Sequence, residues 1–145
     1  MMQHIDHVVK AEAQENLPVI DTVSLTWEER QKSRQKLRTA QGQEIALALP
    51  TGTRLHAGDL LPATGGWIEV RLALEEVLLV RPQNLWEAAF AAYQIGNRHL
   101  PLDIADNGLK TLYQPVVEAY FNQQRIAAER AHLPFTPVSA TSGHT

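Results

Sequence analysis

In Ala92-Tyr93-Gln94-Ile95-Gly96-Asn97-Arg98-His99-Leu100-Pro101-Leu102-Asp103-Ile104 a helix runs out and a strand begins, and the fold of the second half of the chain turns on that change. Trp86, Phe90 and Tyr93 recur at helical spacing, whereas Leu100, Leu102 and Ile104 alternate with Pro101 and Asp103 as a strand does. At the junction Gly96 is suited to the left-handed conformation that closes a helix. Asn97, Arg98 and His99 stand beside it as polar groups in an otherwise apolar stretch.

Upstream, Val77-Leu78-Leu79-Val80 is a continuous apolar run closed by Arg81-Pro82, the pattern of a central strand in a covered sheet. Asn84 is placed to cap the following helix, Leu85 to Gly96, with Glu87 in the capping-box position. Leu85, Ala89 and Ala92 form one apolar face of that helix and Trp86, Phe90 and Tyr93 a second. One small sheet cannot bury both, so part of the helix is expected to meet a second subunit. Downstream, Leu100 to Ala105 and Leu109 to Tyr113 read as strands joined at Asp106-Asn107-Gly108, whose Asn-Gly pair signals a hairpin. Pro115 opens a second helix with Val116, Val117, Tyr120 and Phe121 on its buried side, and Asn122 to Arg130 turn polar. Leu133-Pro134-Phe135 reads as a last strand at a sheet edge. Strand, helix, strand, strand, helix, strand with right-handed crossovers builds a ferredoxin-like βαββαβ sandwich.

The first half has a different grammar. Val19 to Leu25, Ile45 to Leu49, Leu55 with Leu60-Leu61, and Trp67 to Leu72 are short apolar runs separated by turn formers, as in a small β barrel or sandwich. The expected class is therefore α+β, with an N-terminal β domain over 1–74, a ferredoxin-like domain over 75–138 and a small polar tail over 139–145 that should be mobile. A formal net charge of −3 argues against a chain built to neutralise nucleic acid or to lie on an anionic membrane. Five basic residues do fall between Arg30 and Arg38, but Glu28 and Glu29 flank them and a solvated face is the simpler reading. Nothing at the N-terminus resembles an export signal and no apolar run reaches spanning length, so a cytoplasmic protein is expected.

There is no cysteine, so a bound metal must be held by imidazole, carboxylate or backbone groups. That turns attention to the six histidines. An enzyme is a weak reading: Asp103 or Asp106 is the imaginable base beside His99, yet no Ser has an activated setting and no phosphate-binding glycine loop is present. A second reading is an RNA-binding or small-ligand regulatory module on the same scaffold. RNA recognition would need exposed aromatics on the central strands, where Val77 to Val80 has none.

Four blocks carry a family resemblance: Leu25-Thr26-Trp27-Glu28-Glu29-Arg30-Gln31-Lys32-Ser33-Arg34; Gly42 before Ile45-Ala46-Leu47-Ala48-Leu49-Pro50; Gly58-Asp59-Leu60-Leu61; and Ala92-Tyr93 leading into Gly96-Asn97-Arg98-His99. In order and spacing the chain resembles the UreE family of urease accessory proteins, nickel metallochaperones. The resemblance implies an N-terminal domain that docks partners and a C-terminal domain that dimerises and binds Ni²⁺ at the two-fold, with His99 from each copy of a homodimer as ligand. It also implies delivery to the urease apoprotein complex together with a GTP-hydrolysing urease accessory protein, with no nucleic acid or membrane partner. Zn²⁺ and Cu²⁺ are expected competitors for the same imidazoles in vitro. This chain departs from the family where many members carry further histidines: it has Gln94, Tyr113 and Pro115, and a tail ending Ser142-Gly143-His144-Thr145 rather than a histidine-rich one. A single ion per dimer is expected, with His144 either a second ligand, on a tail long enough to join His99, or simply a solvated tail residue. His4 and His7 suit a metal only if their segment is helical or held by a partner, and His56 and His132 read as structural or exposed.

Overall fold

Alternating apolar and polar side chains fold the first half of the chain into short strands. The computed structural model describes residues 2–11 and 17–138, so the tail expected over 139–145 lies outside the described residues. The chain divides into two units, Met1–Ala73 and Leu74–Thr145.

In the first unit β1 (Gln3–Ile5), β4 (Glu44–Ala48) and β3 (Arg34–Arg38) form one three-stranded sheet, in that order, and β2 (Val19–Leu25), β6 (Gly66–Leu72) and β5 (Leu60–Ala63) form another. Ile5, Val23, Leu25, Ile45, Leu47, Leu61, Ile68 and Val70 point from the two sheets into one core, joined by Leu49 and Leu55. A single helical turn, α1 (Trp27–Arg30), is fixed by a capping box in which Thr26 Oγ1 accepts from the Glu29 amide at 3.2 Å and Glu29 Oε1 from the Thr26 amide at 2.9 Å. It divides the basic run read above as one face. Arg30 is buried and donates to the Leu25 carbonyl at 2.9 Å, while Arg34, Lys36 and Arg38 occupy the outward positions of β3.

The second unit follows the strand and helix order expected from periodicity: β7 (Glu75–Arg81), α2 (Leu85–Asn97), β8 (Asp103–Ala105), β9 (Gly108–Leu112), α3 (Pro115–Gln123) and β10 (Ala127–Leu133). Its antiparallel sheet runs β10-β7-β9-β8, that is last, first, third, second, the ferredoxin-like arrangement. Leu78 and Val80 of β7 and Leu109 of β9 meet Ala91 and Ile95 of α2 and Val117 and Phe121 of α3 in one core on the helix side. Gly108 closes the β8–β9 hairpin at φ 141, and a Cβ there would lie 2.4 Å from the Val80 carbonyl oxygen, so only glycine fits against the central strand.

Three boundaries differ from the sequence reading, the first being that the strand expected over Leu100 to Ala105 begins only at Asp103. The last strand is Ala127–Leu133, not Leu133-Pro134-Phe135; it does lie at an edge, paired only with β7. α2 continues through Gly96, and the left-handed residue is His99, at φ 59. The physical reason is the same in both helices of the unit. The His99 amide donates to the Gly96 carbonyl at 2.9 Å and the Leu100 amide to Ile95 at 3.2 Å; the Arg125 amide donates to Asn122 at 3.1 Å and Ile126 to Phe121 at 3.0 Å. Each is a Schellman closure with a non-glycine residue in the left-handed position, Arg125 at φ 60. In each the next residue is apolar, and both Leu100 and Ile126 pack into the core.

Candidate metal centre

His99 is placed by the end of α2. Asn84 starts the helix by accepting from the Glu87 amide at 2.8 Å, while Glu87 reaches back to the Gln83 amide at 3.0 Å, one residue before the cap. At the other end the Schellman bonds hold the His99 backbone, and Leu100 behind it is anchored in the core. The ring is exposed, and among the described residues nothing hydrogen-bonds it. It stands at the helix C-terminus, where unsatisfied carbonyls carry partial negative charge that favours a cation. Its neighbour Arg98 turns the other way, its guanidinium carbon 4.5 Å from the centroid of Tyr120 on α3.

The segment after His99 is held from β9: Thr111, fully buried, donates its hydroxyl to the Pro101 carbonyl at 2.6 Å. Asp103 is not a base beside His99. It faces the side of the sheet away from the helices, directly opposite Lys110, with Lys110 Nζ 3.3 Å from Asp103 Oδ2. Asp106, in the exposed hairpin, has no charged partner among the described residues.

Of the other histidines, His4, His7 and His56 belong to the first unit and His132 to the second. His4 lies on β1, so the His4–His7 pair is strand and loop rather than helix, and His7 Nδ1 sits 2.8 Å from Asp6 Oδ1, which lowers the Asp6 pKa. His56 is 3.7 Å from the buried Asp59 carboxylate, which Lys10 also reaches at 2.9 Å. His132 projects from β10 opposite Glu76. His144 lies outside the described residues. Among the described residues no group of three or more His, Asp or Glu side chains comes together within one chain. Tyr113 donates its hydroxyl to Glu118 at 2.7 Å, which raises its pKa, and Pro115 is the first residue of α3. Neither supplies a soft nitrogen ligand.

A single exposed imidazole cannot hold a divalent ion alone, but α2 offers more than a ligand. Leu85, Trp86 and Tyr93 are 84%, 66% and 67% exposed, with the Trp86 ring stacked on Phe90 at 4.9 Å. The inward residues are Ala91 and Ile95, with Phe90 and Ala92 packed beside them, so among the described residues the outward apolar face is unpartnered.

The profile described as UreE urease accessory protein, N-terminal domain, matches residues 2–73, and that described as UreE urease accessory protein, C-terminal domain, matches residues 75–145. The chain belongs to the UreE family. Its UreE relatives include the urease accessory protein UreE of Cupriavidus necator, 41% identical over 120 residues (82% of this chain, 62% of the relative). Those of Burkholderia thailandensis and Paraburkholderia xenovorans are 39% and 37% identical over 123 residues, which is 84% of this chain and 58% and 55% of theirs. The chain thus spans about three fifths of the length of these curated UreE relatives. Among the described residues of this UreE-family chain no helix is long and apolar enough to cross a membrane.

The arrangement that sequence reasoning missed is Arg98 on Tyr120 and Asp103 with Lys110. A lysine inside the apolar run Leu109-Lys110-Thr111-Leu112 was the available signal for the second. The first has none, because a stacking partner on another helix leaves no local pattern.

Proposed function

We propose that this chain is a nickel carrier in urease maturation, a dimer in which His99 from each copy grips one shared Ni²⁺ ion that is cargo rather than resident cofactor. The observation that carries the reading is the exposed His99 ring on a backbone clamped by Schellman bonds, at the end of a helix whose outward aromatic face lacks a partner among the described residues. Symmetry supplies what the single chain lacks, since a two-fold contact presents every ligand twice. Imidazole suits Ni²⁺, and a site with open positions lets a recipient's ligands enter before the carrier's leave. Zn²⁺ and Cu²⁺ compete for it, Cu²⁺ more strongly by the usual order of affinities.

His144 is a second ligand in this reading. The Val138 amide donates to the Leu102 carbonyl at 2.7 Å, and Leu102 follows His99 by only Leu100 and Pro101. Extended chain over residues 139–144 reaches about 20 Å, enough to return to His99. Residues 75–138 would then be the metal-binding and dimerisation domain, and residues 1–74 the domain that docks the urease apoprotein and the GTP-hydrolysing accessory protein. An RNA-binding sheet is disfavoured because the face away from the helices carries Leu79 and Lys110, and Phe135, fully buried, belongs to the run that crosses it.

Replacing His99 by Ala is expected to abolish the tightest nickel site and leave a folded dimer. Calorimetry combined with equilibrium sedimentation reads both; full-strength nickel binding by the variant would overturn the assignment.

A further inference from the structure

We propose that Asp103 and Lys110 are positioning residues: together they pin residues 134–138 across the back of the sheet and against the segment that carries His99, so that the chain beyond Val138 leaves the fold beside the metal site. This deepens the nickel reading and rests on it for its functional meaning, though not for its geometry.

Asp103 and Lys110 face each other across β8 and β9, on the side of the sheet opposite the helices, with side chains 12% and 11% exposed. Each also hydrogen-bonds the same passing backbone. Lys110 Nζ donates to the Pro134 carbonyl at 2.7 Å, and Asp103 Oδ2 accepts from the Thr136 amide at 2.9 Å. Phe135, between those two contacts, is fully buried, and the Val138 amide then bonds Leu102. β10 and β8 are the two edges of the sheet, so residues 134–138 travel from one edge to the other.

A charged pair this deep in a sheet costs desolvation, and apolar residues of equal volume would hold the two strands together as well. What the pair adds is direction. Phe135 and the single backbone bond from Val138 to Leu102 hold the run at its middle and far end, and a carboxylate and an ammonium that each select one further backbone group fix its register on either side of Phe135. Because Asp103 also ends the run that begins at His99, the register so fixed is measured from the ligand itself.

The test uses the full chain and needs no metal. The chain has no cysteine, so His99→Cys with His144→Cys, on a Trp86→Glu, Tyr93→Glu background that keeps the copies apart, creates its only thiols, and the rate at which the two thiols of one chain join under diamide in chelator, read by peptide mass at dilute protein, reports how often the tail meets the motif. Adding Asp103→Ala is expected to slow that rate about fivefold or more, because an unpinned tail searches a larger volume. Should the buried Lys110 left alone prevent folding, Asp103→Ala with Lys110→Met removes both charges and gives the same reading. Cooperative melting of each variant confirms the fold. An unchanged rate, or no disulfide in the parent pair, would overturn the proposal. Failure of the nickel reading is separate: the unsubstituted chain would bind no nickel while the cross-linking rates still differed.

Discussion

His99 occupies a backbone position that glycine takes in most helices closed this way. Holding a side chain at φ 59 costs on the order of 1–3 kcal/mol, and the fold keeps histidine there all the same. Arg125 pays the same strain at the end of α3 with no metal role, so the two residues form a matched pair. His99→Gly should stabilise the second unit by about 1 kcal/mol, the relieved strain less the extra freedom of glycine in the unfolded chain, while nickel binding is lost. Arg125→Gly should stabilise it similarly and leave nickel binding intact. Denaturant unfolding and nickel calorimetry on the two variants check this. If His99→Gly were the less stable of the two by more than a kcal/mol, the ring would be making contacts in the folded chain that the exposed position does not suggest.

The elements of the second unit were legible to very different degrees, for physical reasons. β7 and α2 announce themselves because one is buried on both faces and the other keeps a helical period. β10 does not: Glu129, Arg130 and His132 face solvent from an edge strand, and its apolar residues are mostly alanine, so no alternation marks it. The end of α3 was equally hidden, since the left-handed residue that stops it is Arg125 and not a glycine. The motif histidine was readable, but not the turn that presents it, and Asp103 was misplaced because alternation along β8 says which residues share a face without saying what lies against it. The junction of β9 and α3 carries a prediction of its own. The Tyr113 hydroxyl donates to Glu118, with the Arg130 guanidinium 5.0 Å from the ring centroid, and the bond to Glu118 raises the tyrosine pKa despite that cation. The bond's contribution is therefore complete below the ordinary tyrosine pKa and is lost as pH rises through the higher folded value. Ultraviolet difference titration, with Tyr113→Phe to assign the signal, should place Tyr113 above an ordinary tyrosine. Glu118→Gln should move it back down.

At the scale of the whole molecule, the proposed shared site makes its chemistry and the association of chains one equilibrium. Each chain offers one clamped imidazole and one exposed aromatic helix face, and neither is complete alone. Metal that bridges two copies binds the dimer and not the monomer, so by mass action nickel tightens the dimer and dilution weakens nickel binding. Trp86→Glu with Tyr93→Glu places charge on the face that the second copy would cover, without touching the inward residues Ala91 and Ile95. Each chain should stay folded and sediment as a monomer, and its nickel affinity should collapse although His99 is untouched. Raising the concentration of the unsubstituted chain through its dimerisation range should carry nickel binding from weak to tight, saturating at one ion per two chains. Acidification should release the ion, because a protonated imidazole cannot bind it. A site built within one chain would behave otherwise: its affinity would be independent of protein concentration, and the charged-face variant would bind nickel as well as its parent.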